Sequence, residues 1–198
     1  MSNTPCIGLA LVAMGNMRIL QAREAGKEQD NARFQHFLLR AQTTLRRGLS
    51  LKGVEAETQA QGQLALAQVF LLGGDLEQAQ QQATQTLEEA QHYESTRLLA
   101  RTQHLLGTIL SAQGQTEQAE EHLTQALHIA QQHSMRLECA RILQSYGVFL
   151  LQNDAVEATR HEQGLRSLQE AQHLFTQCQA ALDLQYVEHI ISAYGDGT

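Results

Sequence analysis

Proline, tryptophan and aromatic side chains are scarce in this chain of 198 residues. It has one proline, Pro5, and no tryptophan, and aromatic residues make up 5% of it. Ala, Leu, Gln, Glu and Arg dominate instead, and these residues are good helix formers. Because little in the chain favours strands or interrupts helices, the composition predicts a nearly all-helical protein.

Basic charge and cysteine are also limited. The formal net charge is −7, from 14 Lys and Arg against 21 Asp and Glu. This balance excludes a broad basic surface for nucleic acid or anionic lipid, although it leaves room for a local basic strip. Three cysteines without a CxxC pair are typical of a reducing cytosol rather than of a disulfide framework. We therefore expect a cytoplasmic protein that does not bind nucleic acid directly.

A long apolar run is missing as well. The run CIGLALVAM at 6–14 has no Lys or Arg before it, and Asn16 and Arg18 close it. A membrane span needs about 20 apolar residues, so this run is too short. We expect no membrane partner.

What the chain does contain is a 40-residue repeat. The tripeptide Glu-Gln-Ala stands at 77–79 and again at 117–119, each time shortly after a glycine. Three other sets recur with the same spacing, one of turn residues, one apolar and one small: Gly74, Gly114, Asp154; Phe70, Leu110, Leu150; Ala67, Gly107, Gly147. The segments between the turns have helical periodicity, so each copy is predicted to be a helical hairpin.

The hairpins can be followed along the whole chain. They are predicted at about 5–50, 55–94, 95–134 and 136–177, with a capping helix at about 179–194. The last hairpin carries about five extra residues after Asn153. Since one hairpin cannot bury its apolar stripe alone, stacking predicts an all-α, right-handed α-solenoid that forms a single domain over 1–198. A compact bundle is the alternative, but a bundle has no reason to repeat at a fixed period.

The alternation of large and small residues resembles the tetratricopeptide repeat over residues 55–177. It is clearest in the third hairpin, at Leu106, Gly107, Leu110, Ala119, Leu123 and Ala126. The chain departs from that family in its period, which is 40 rather than about 34 residues, and in lacking the proline that ends the second helix. The family's tryptophan position is held by Gln63, Gln103 and Leu143. Longer repeats of this kind resemble arrays in bacterial multidomain signalling and transcription regulators.

Residues for catalysis or metal binding do not occur at useful spacings. His128 and His133 are five apart, about 140° around a helix, whereas a metal pair needs a spacing of three or four. His161 and Glu162 lack the second histidine of HExxH, and there is no GxSxG nucleophile or P-loop. The thiol of Cys139, near a helix start, has either a lowered pKa or a packing role. We predict no enzyme activity, no metal and no cofactor.

The resemblance implies a concave groove lined by the first helix of each hairpin, which takes an extended peptide or a helix of a partner protein. The candidate residues lie one turn apart, opposite the apolar face: Gln61, Leu64, Gln68, Leu71, Arg101, His104, Thr108, Ser111, Arg141, Gln144, Val148 and Leu151. Arg101 and Arg141 share a repeat position, and two guanidinium groups on one strip suit a carboxylate or an acidic peptide. The alternative is that both arginines lie along neighbouring helices or pair with glutamates.

Two functions are compatible with this sequence. The first is a non-enzymatic scaffold that binds a peptide or protein segment in the groove. The second is a sensor or oligomerisation arm of a bacterial signalling or transcription regulator, which binds a small effector or a dimer mate. The helix at 6–20 is apolar nearly all round, so both of its faces need cover. A second copy of the chain, another domain or a partner protein would supply that cover, and the first of these is a homodimer.

Overall fold

A computed structural model describes residues 4–153 and 158–195 of the protein. Within these residues every regular element is an α-helix, which confirms the all-α prediction. The helices are α1 (Thr4–Lys27), α2 (Asn31–Leu49), α3 (Ala56–Gly73), α4 (Leu76–His92), α5 (Thr96–Ala112), α6 (Thr116–Gln132), α7 (Arg136–Asn153), α8 (Ala158–Gln177) and α9 (Ala181–Gly195).

The chain divides into two compact units, Met1–Leu98 and Leu99–Thr198. The first unit holds α1 to α4, and the second holds most of α5 together with α6 to α9. The sequence predicted one domain over 1–198, and the boundary between the units falls inside α5 rather than in a linker. The helical-repeat architecture confirms the α-solenoid class, while the handedness of a superhelix stays a prediction.

The turns inside the second and third hairpins use one helix-ending motif. Gly74 and Gly114 follow α3 and α5 in the left-handed region, at φ 82° and 76°. The N–H of the next residue, Asp75 or Gln115, donates to the carbonyl five residues back at 3.0 and 2.9 Å. This is the Schellman motif, in which glycine avoids the steric cost of a positive φ. Asp154, the third predicted turn residue, lies outside the described residues.

Small residues let the two helices of a hairpin cross closely. A methyl group added at Gly107 would lie 2.7 Å from Leu123 Cγ and 3.1 Å from the carbonyl oxygen of Ala119. One added at Gly147 would lie 2.8 Å from the carbonyl oxygen of Gly164. Gly164 therefore opposes Gly147 as Ala119 opposes Gly107, which confirms the five-residue insertion in the last hairpin.

The repeated Glu-Gln-Ala has an architectural role. Ala79 and Ala119 are completely buried. The glutamates and glutamines before them, at 77–78 and 117–118, are exposed. The alanines are small because two helices meet there, and the polar residues beside them face solvent.

Each unit has its own apolar core. In the first unit Ile19 of α1 and Leu45 of α2 pack with Leu66 of α3. In the second unit Phe175 of α8 packs with Val187 of α9, and α9 lies against α7 and α8. Stability thus comes from contacts between successive helices, as expected for repeats that cannot bury their apolar faces alone.

Helix α1 has one buried and one exposed face, although its sequence is apolar nearly all round. Gly8, Val12, Gly15 and Ile19 are among the residues that face the core of the first unit. The opposite face is 47–63% exposed at its large apolar residues, Ile7, Leu9, Met14, Met17 and Leu20. By length and composition alone, α1 also qualifies as a helix that can cross a membrane.

Candidate functional site

The predicted groove residues of the second unit lie on two neighbouring helices, α5 and α7. His104 Nε2 and Ser145 Oγ are 2.7 Å apart, so the two helices are in direct contact. Around this bond, side chains at one-turn spacing are partly buried or exposed on both helices. We call this set the α5–α7 strip: Arg101, His104, Thr108, Arg141, Gln144 and Val148.

Arg141 of the strip already binds a carboxylate. Arg141 Nη2 donates to Asp183 Oδ2 of α9 at 2.8 Å, and the two side chains are 46% and 33% exposed. Pairing of the arginines with glutamates is the alternative to ligand binding that the sequence left open, and this ion pair is of that kind, with an aspartate in place of a glutamate. The guanidinium keeps other N–H groups that can bind a second acceptor, because it carries five in all.

Two of the predicted groove residues are core residues instead. Leu64 is completely buried and Leu151 is 7% exposed. Helix α3 packs against α1, α2 and α4, so a position that looked solvent-facing on the helix is covered by a neighbour. Leu151 lies at the close crossing of α7 and α8, 2.9 Å from a methyl group built at Gly164. Neither side chain can contact a partner, and we correct both assignments.

The other predicted residues of the first unit lie on α3. Gln61, Gln68 and Leu71 are partly buried there. Gln61 Nε2 lies 3.4 Å from Glu57 Oε1, one turn earlier on the same helix. A cleft of about 180 Å³ between α2 and α3 includes none of these three residues.

Polar bridges occupy the position where the repeat family has tryptophan. Gln103 is buried on α5, and its Oε1 accepts a hydrogen bond from Nδ1 of His122 on α6. Gln63, at the same repeat position, lies against Glu89 of α4, and with the amide oriented so that its nitrogen faces the carboxylate it donates to Oε2 at 2.6 Å. Burial lowers the pKa of His122, against a smaller opposing effect of Glu121. Sequence reasoning missed these bridges because Gln, Glu and His are ordinary surface residues of helices.

A second polar network joins α6, α7 and α8. The hydroxyl of Tyr146 donates to Glu120 Oε1 at 3.1 Å, and Arg160 Nη2 donates to Glu120 Oε2 at 2.7 Å. Burial, followed by the charge of Glu120, raises the pKa of Tyr146 to about 12. A phenol with so high a pKa keeps its proton at physiological pH and acts as a hydrogen-bond donor. The network therefore connects α6, α7 and α8.

Metal binding and thiol chemistry find little support. In residues 4–153 and 158–195 no group of three or more His, Cys, Asp or Glu could hold a metal ion. Cys139 is 7% exposed. Burial raises the pKa of its thiol, and the charges of Glu138 and Glu170 act in the same direction. The interpretation of Cys139 as an activated thiol is wrong, and its role is packing.

Comparison with known proteins shows which repeats this chain is similar to. Residues 58–132 match the tetratricopeptide repeat family. No curated protein sequence matches the chain. The crystal structure of BtubC (BKLC) from P. vanneervenii is similar at 14% identity and a TM-score of 0.56, covering 94% of this chain and 89% of that one. A variant of a putative kinesin light chain with nearly identical TPR-like repeats, from Podosopora anserina, is similar at 16% identity and a TM-score of 0.51, covering 98% and 96%. At these identities the likeness concerns the fold alone.

Proposed function

We propose that this chain is a non-enzymatic scaffold in the cytoplasm. The proposal is supported by the match of residues 58–132 to the tetratricopeptide repeat family and by the tetratricopeptide-like helical-repeat fold. Repeats of this type generally mediate protein–protein interaction. The ligand is a peptide or a protein segment, and the α5–α7 strip contacts it. The observation that carries the proposal is the bond between His104 and Ser145, which joins two helices whose partly exposed residues follow one another at one-turn spacing.

The chemistry of the strip suits an acidic segment. Arg101 and Arg141 offer guanidinium groups, and Gln144 offers an amide that both donates and accepts. Val148 adds an apolar contact. The ion pair between Arg141 and Asp183 supports this specificity, because it is an intramolecular example of the same contact. We propose that a carboxylate of the ligand binds at the two arginines and shares Arg141 with Asp183, or replaces Asp183 there.

Charge reversal tests the strip. Peptides are first selected against the wild-type protein from a displayed random library, and their affinities are measured by fluorescence anisotropy. Arg101→Glu combined with Arg141→Glu is expected to weaken binding by at least about tenfold, because a hydrogen bond to a charged group contributes about 1.5–3 kcal/mol and tenfold corresponds to about 1.4 kcal/mol.

A matched double reversal controls for net charge. Arg136→Glu combined with Arg166→Glu changes the formal charge equally, at two exposed positions outside the strip. Arg136 lies five residues before Arg141, about 140° around the helix. This control is expected to keep its affinity for the peptides. Unchanged binding by the Arg101 and Arg141 variant would remove the strip assignment.

A second variant tests the role of Asp183. Asp183→Asn removes the carboxylate that pairs with Arg141, so acidic peptides should bind more tightly. The ion pair is partly exposed, and we expect its loss to change the free energy of unfolding by less than about 1 kcal/mol. Glu188→Gln, on the same helix, is the control. If Asp183→Asn binds acidic peptides no better than the wild type, Arg141 does not receive the ligand.

The exposed apolar face of α1 favours a second candidate function. In this second function, the chain is the sensor or oligomerisation arm of a bacterial signalling or transcription regulator, and it binds a small effector or a dimer mate. A thermal-shift screen of small molecules, combined with light scattering, separates the two branches. A ligand that raises the melting temperature of a monomer supports the sensor, and concentration-dependent mass supports oligomerisation.

A further inference from the structure

Exposed large apolar side chains concentrate on the first and last helices of the described chain. Five lie on α1, namely Ile7, Leu9, Met14, Met17 and Leu20, and two lie on α9, namely Leu182 and Tyr186. Among the described residues the other two are Leu39 and Tyr93. Repeat arrays need a polar outer face on their end helices to stay soluble and separate. The exposed face of α1 is apolar, and on α9 Leu182 and Tyr186 stand beside exposed polar residues such as Gln185 and His189.

The two exposed faces have complementary shapes. The centre line of the α1 face runs through Cys6, Ala10, Ala13 and Met17, with spacings of four, three and four residues. By helical geometry, Leu9 and Leu20 flank this line on one side, and Ile7 and Met14 flank it on the other. Two small alanines between larger side chains make a shallow groove along the helix.

The exposed face of α9 has the same spacing but a different profile. One exposed stripe of the helix runs through Leu182, Tyr186, His189 and Ala193, beside the exposed polar residues Gln185 and Ser192. Leu182 and Tyr186 are large and one turn apart, so they form a ridge. Helices pack by inserting the ridges of one into the grooves of another. The α9 ridge therefore fits the α1 groove better than a second α1 groove would.

Charge also favours pairing α1 with α9 over pairing α1 with α1. Residues 1–54 contain eight Lys and Arg against three Asp and Glu, a formal charge of +5. Residues 55–198 contain the other six Lys and Arg and 18 Asp and Glu, a formal charge of −12. Helix α9 carries Asp183, which Arg141 of α7 already pairs with, and Glu188, and it has no Lys or Arg. Pairing α1 with α1 would bring two basic hairpins together, whereas pairing α1 with α9 joins regions of opposite charge.

We infer that α1 of one copy of this chain binds α9 of a second copy, so that the protein self-associates head to tail. Such an interface is heterologous, and it extends to rings or filaments rather than stopping at a symmetric dimer. The inference specifies the mate in the second candidate function and rests on that candidate. The variants that test it change no residue of the α5–α7 strip, so peptide binding by the strip is tested separately.

Complementary variants provide the test. The α1 variant combines Met17→Gln with Leu20→Gln, and the α9 variant combines Leu182→Gln with Tyr186→Gln. Each replaces two exposed apolar residues by a neutral helix former without changing the charge. The control variant combines Leu39→Gln with Tyr93→Gln, the exposed apolar residues outside the two helices. Circular dichroism and thermal unfolding first establish that all three variants are folded.

Analytical ultracentrifugation then gives the mass of each protein over a range of concentrations. The wild type and the control variant should form assemblies that grow beyond a dimer. Each interface variant alone should self-associate at least about tenfold more weakly, which corresponds to about 1.4 kcal/mol. A mixture of the two should form a 1:1 dimer that grows no further, because the α1 variant keeps an intact α9 and the α9 variant keeps an intact α1.

Other occupants of the α1 face give different outcomes. An α9 variant that still dimerises alone, with a mixture that gives no heterodimer, would show a symmetric α1 interface and overturn the inference. A wild type that stays monomeric but sediments with vesicles of anionic phospholipid would overturn it in favour of a membrane surface.

Raising the salt concentration from about 0.1 M to about 1 M shortens the Debye length from about 10 Å to about 3 Å, and the higher salt should weaken head-to-tail association.

Discussion

At the residue scale, the chain contains two helix starts at the same repeat position that differ in the residue before the helix. Asp75 precedes α4, and its Oδ1 accepts a hydrogen bond from the N–H of Gln78 at 3.2 Å. Gln115 precedes α6 at the same repeat position and with nearly the same backbone, φ −86° and ψ 70° against −85° and 77°. Its side chain makes no capping bond. The first N–H groups of a helix need such an acceptor, and α6 lacks the one that α4 has.

We predict that Gln115→Asp stabilises the protein by about 1 kcal/mol, because aspartate is among the best N-cap residues. Asp75→Gln should destabilise it by a similar amount. Urea unfolding followed by circular dichroism measures both changes in the free energy of unfolding. A stabilisation by Gln115→Asp below about 0.3 kcal/mol would mean that water already satisfies the first turn of α6.

Glycine residues in the sequence predicted some of the helix-ending turns and missed others. The sequence marked the turns after α3 and α5 because Gly74 and Gly114 stand there. The chain also adopts a positive φ after α1, α4, α6 and α8, at Gln29, Glu94, Ser134 and Gln179. Each of these residues is followed by an N–H that donates five residues back, such as that of Ser95 to Ala90 at 3.1 Å. Non-glycine residues rarely adopt this conformation, so the glycine signal in the sequence does not reveal these four turns.

At the element scale, the hydrogen bond between His122 and Gln103 joins the two helices of the third hairpin. Burial lowers the pKa of His122 from its ordinary value of 6.5. Well above pH 6.5 both the folded and the unfolded histidine are neutral, and the contribution to stability is complete. As the pH falls through 6.5 toward the lowered pKa, the unfolded histidine takes up a proton before the folded one does. The folded state therefore loses stability on acidification.

We predict that the free energy of unfolding of the wild type decreases between about pH 7.5 and about pH 5.5, and that His122→Gln flattens this dependence. Urea titrations across the pH range measure it. His128→Gln, at an exposed position of the same helix, should keep the wild-type dependence. If His122→Gln and His128→Gln give parallel curves, the acid sensitivity has its origin elsewhere in the chain.

At the scale of the whole molecule, two thiols report on different events. Cys6 is exposed on the centre line of the α1 face, whereas Cys139 is buried between α6, α7 and α8. Burial raises the pKa of the Cys139 thiol, which lowers its thiolate fraction and adds to its protection. The reactivity of Cys139 should therefore follow unfolding, and the reactivity of Cys6 should follow self-association.

We predict that Cys6 reacts rapidly with a maleimide in dilute protein and more slowly as the protein concentration rises, because α9 of a second copy covers it. Cys139 should react slowly at every concentration until denaturant is added. The Cys178→Ser background simplifies the kinetics, and peptide mass spectrometry assigns each site. A Cys6 rate that does not depend on concentration would contradict the burial of the α1 face.

The sequence by itself determined the all-helical class, the 40-residue period, the two glycine turns and the five-residue insertion. Helix propensity and apolar spacing are local quantities, and the repeat presents them several times, so errors at single positions cancel. Only the tertiary structure decided which side of a helix is covered. Leu64 was predicted to line the groove, but it is a core residue because α3 has neighbours on several sides. Arg141 pairs with Asp183, which lies 42 residues further along the chain. Helix α1 keeps one apolar face exposed. Burial and ion pairing depend on the helices that stack around a residue, and the spacing along one helix does not contain that information.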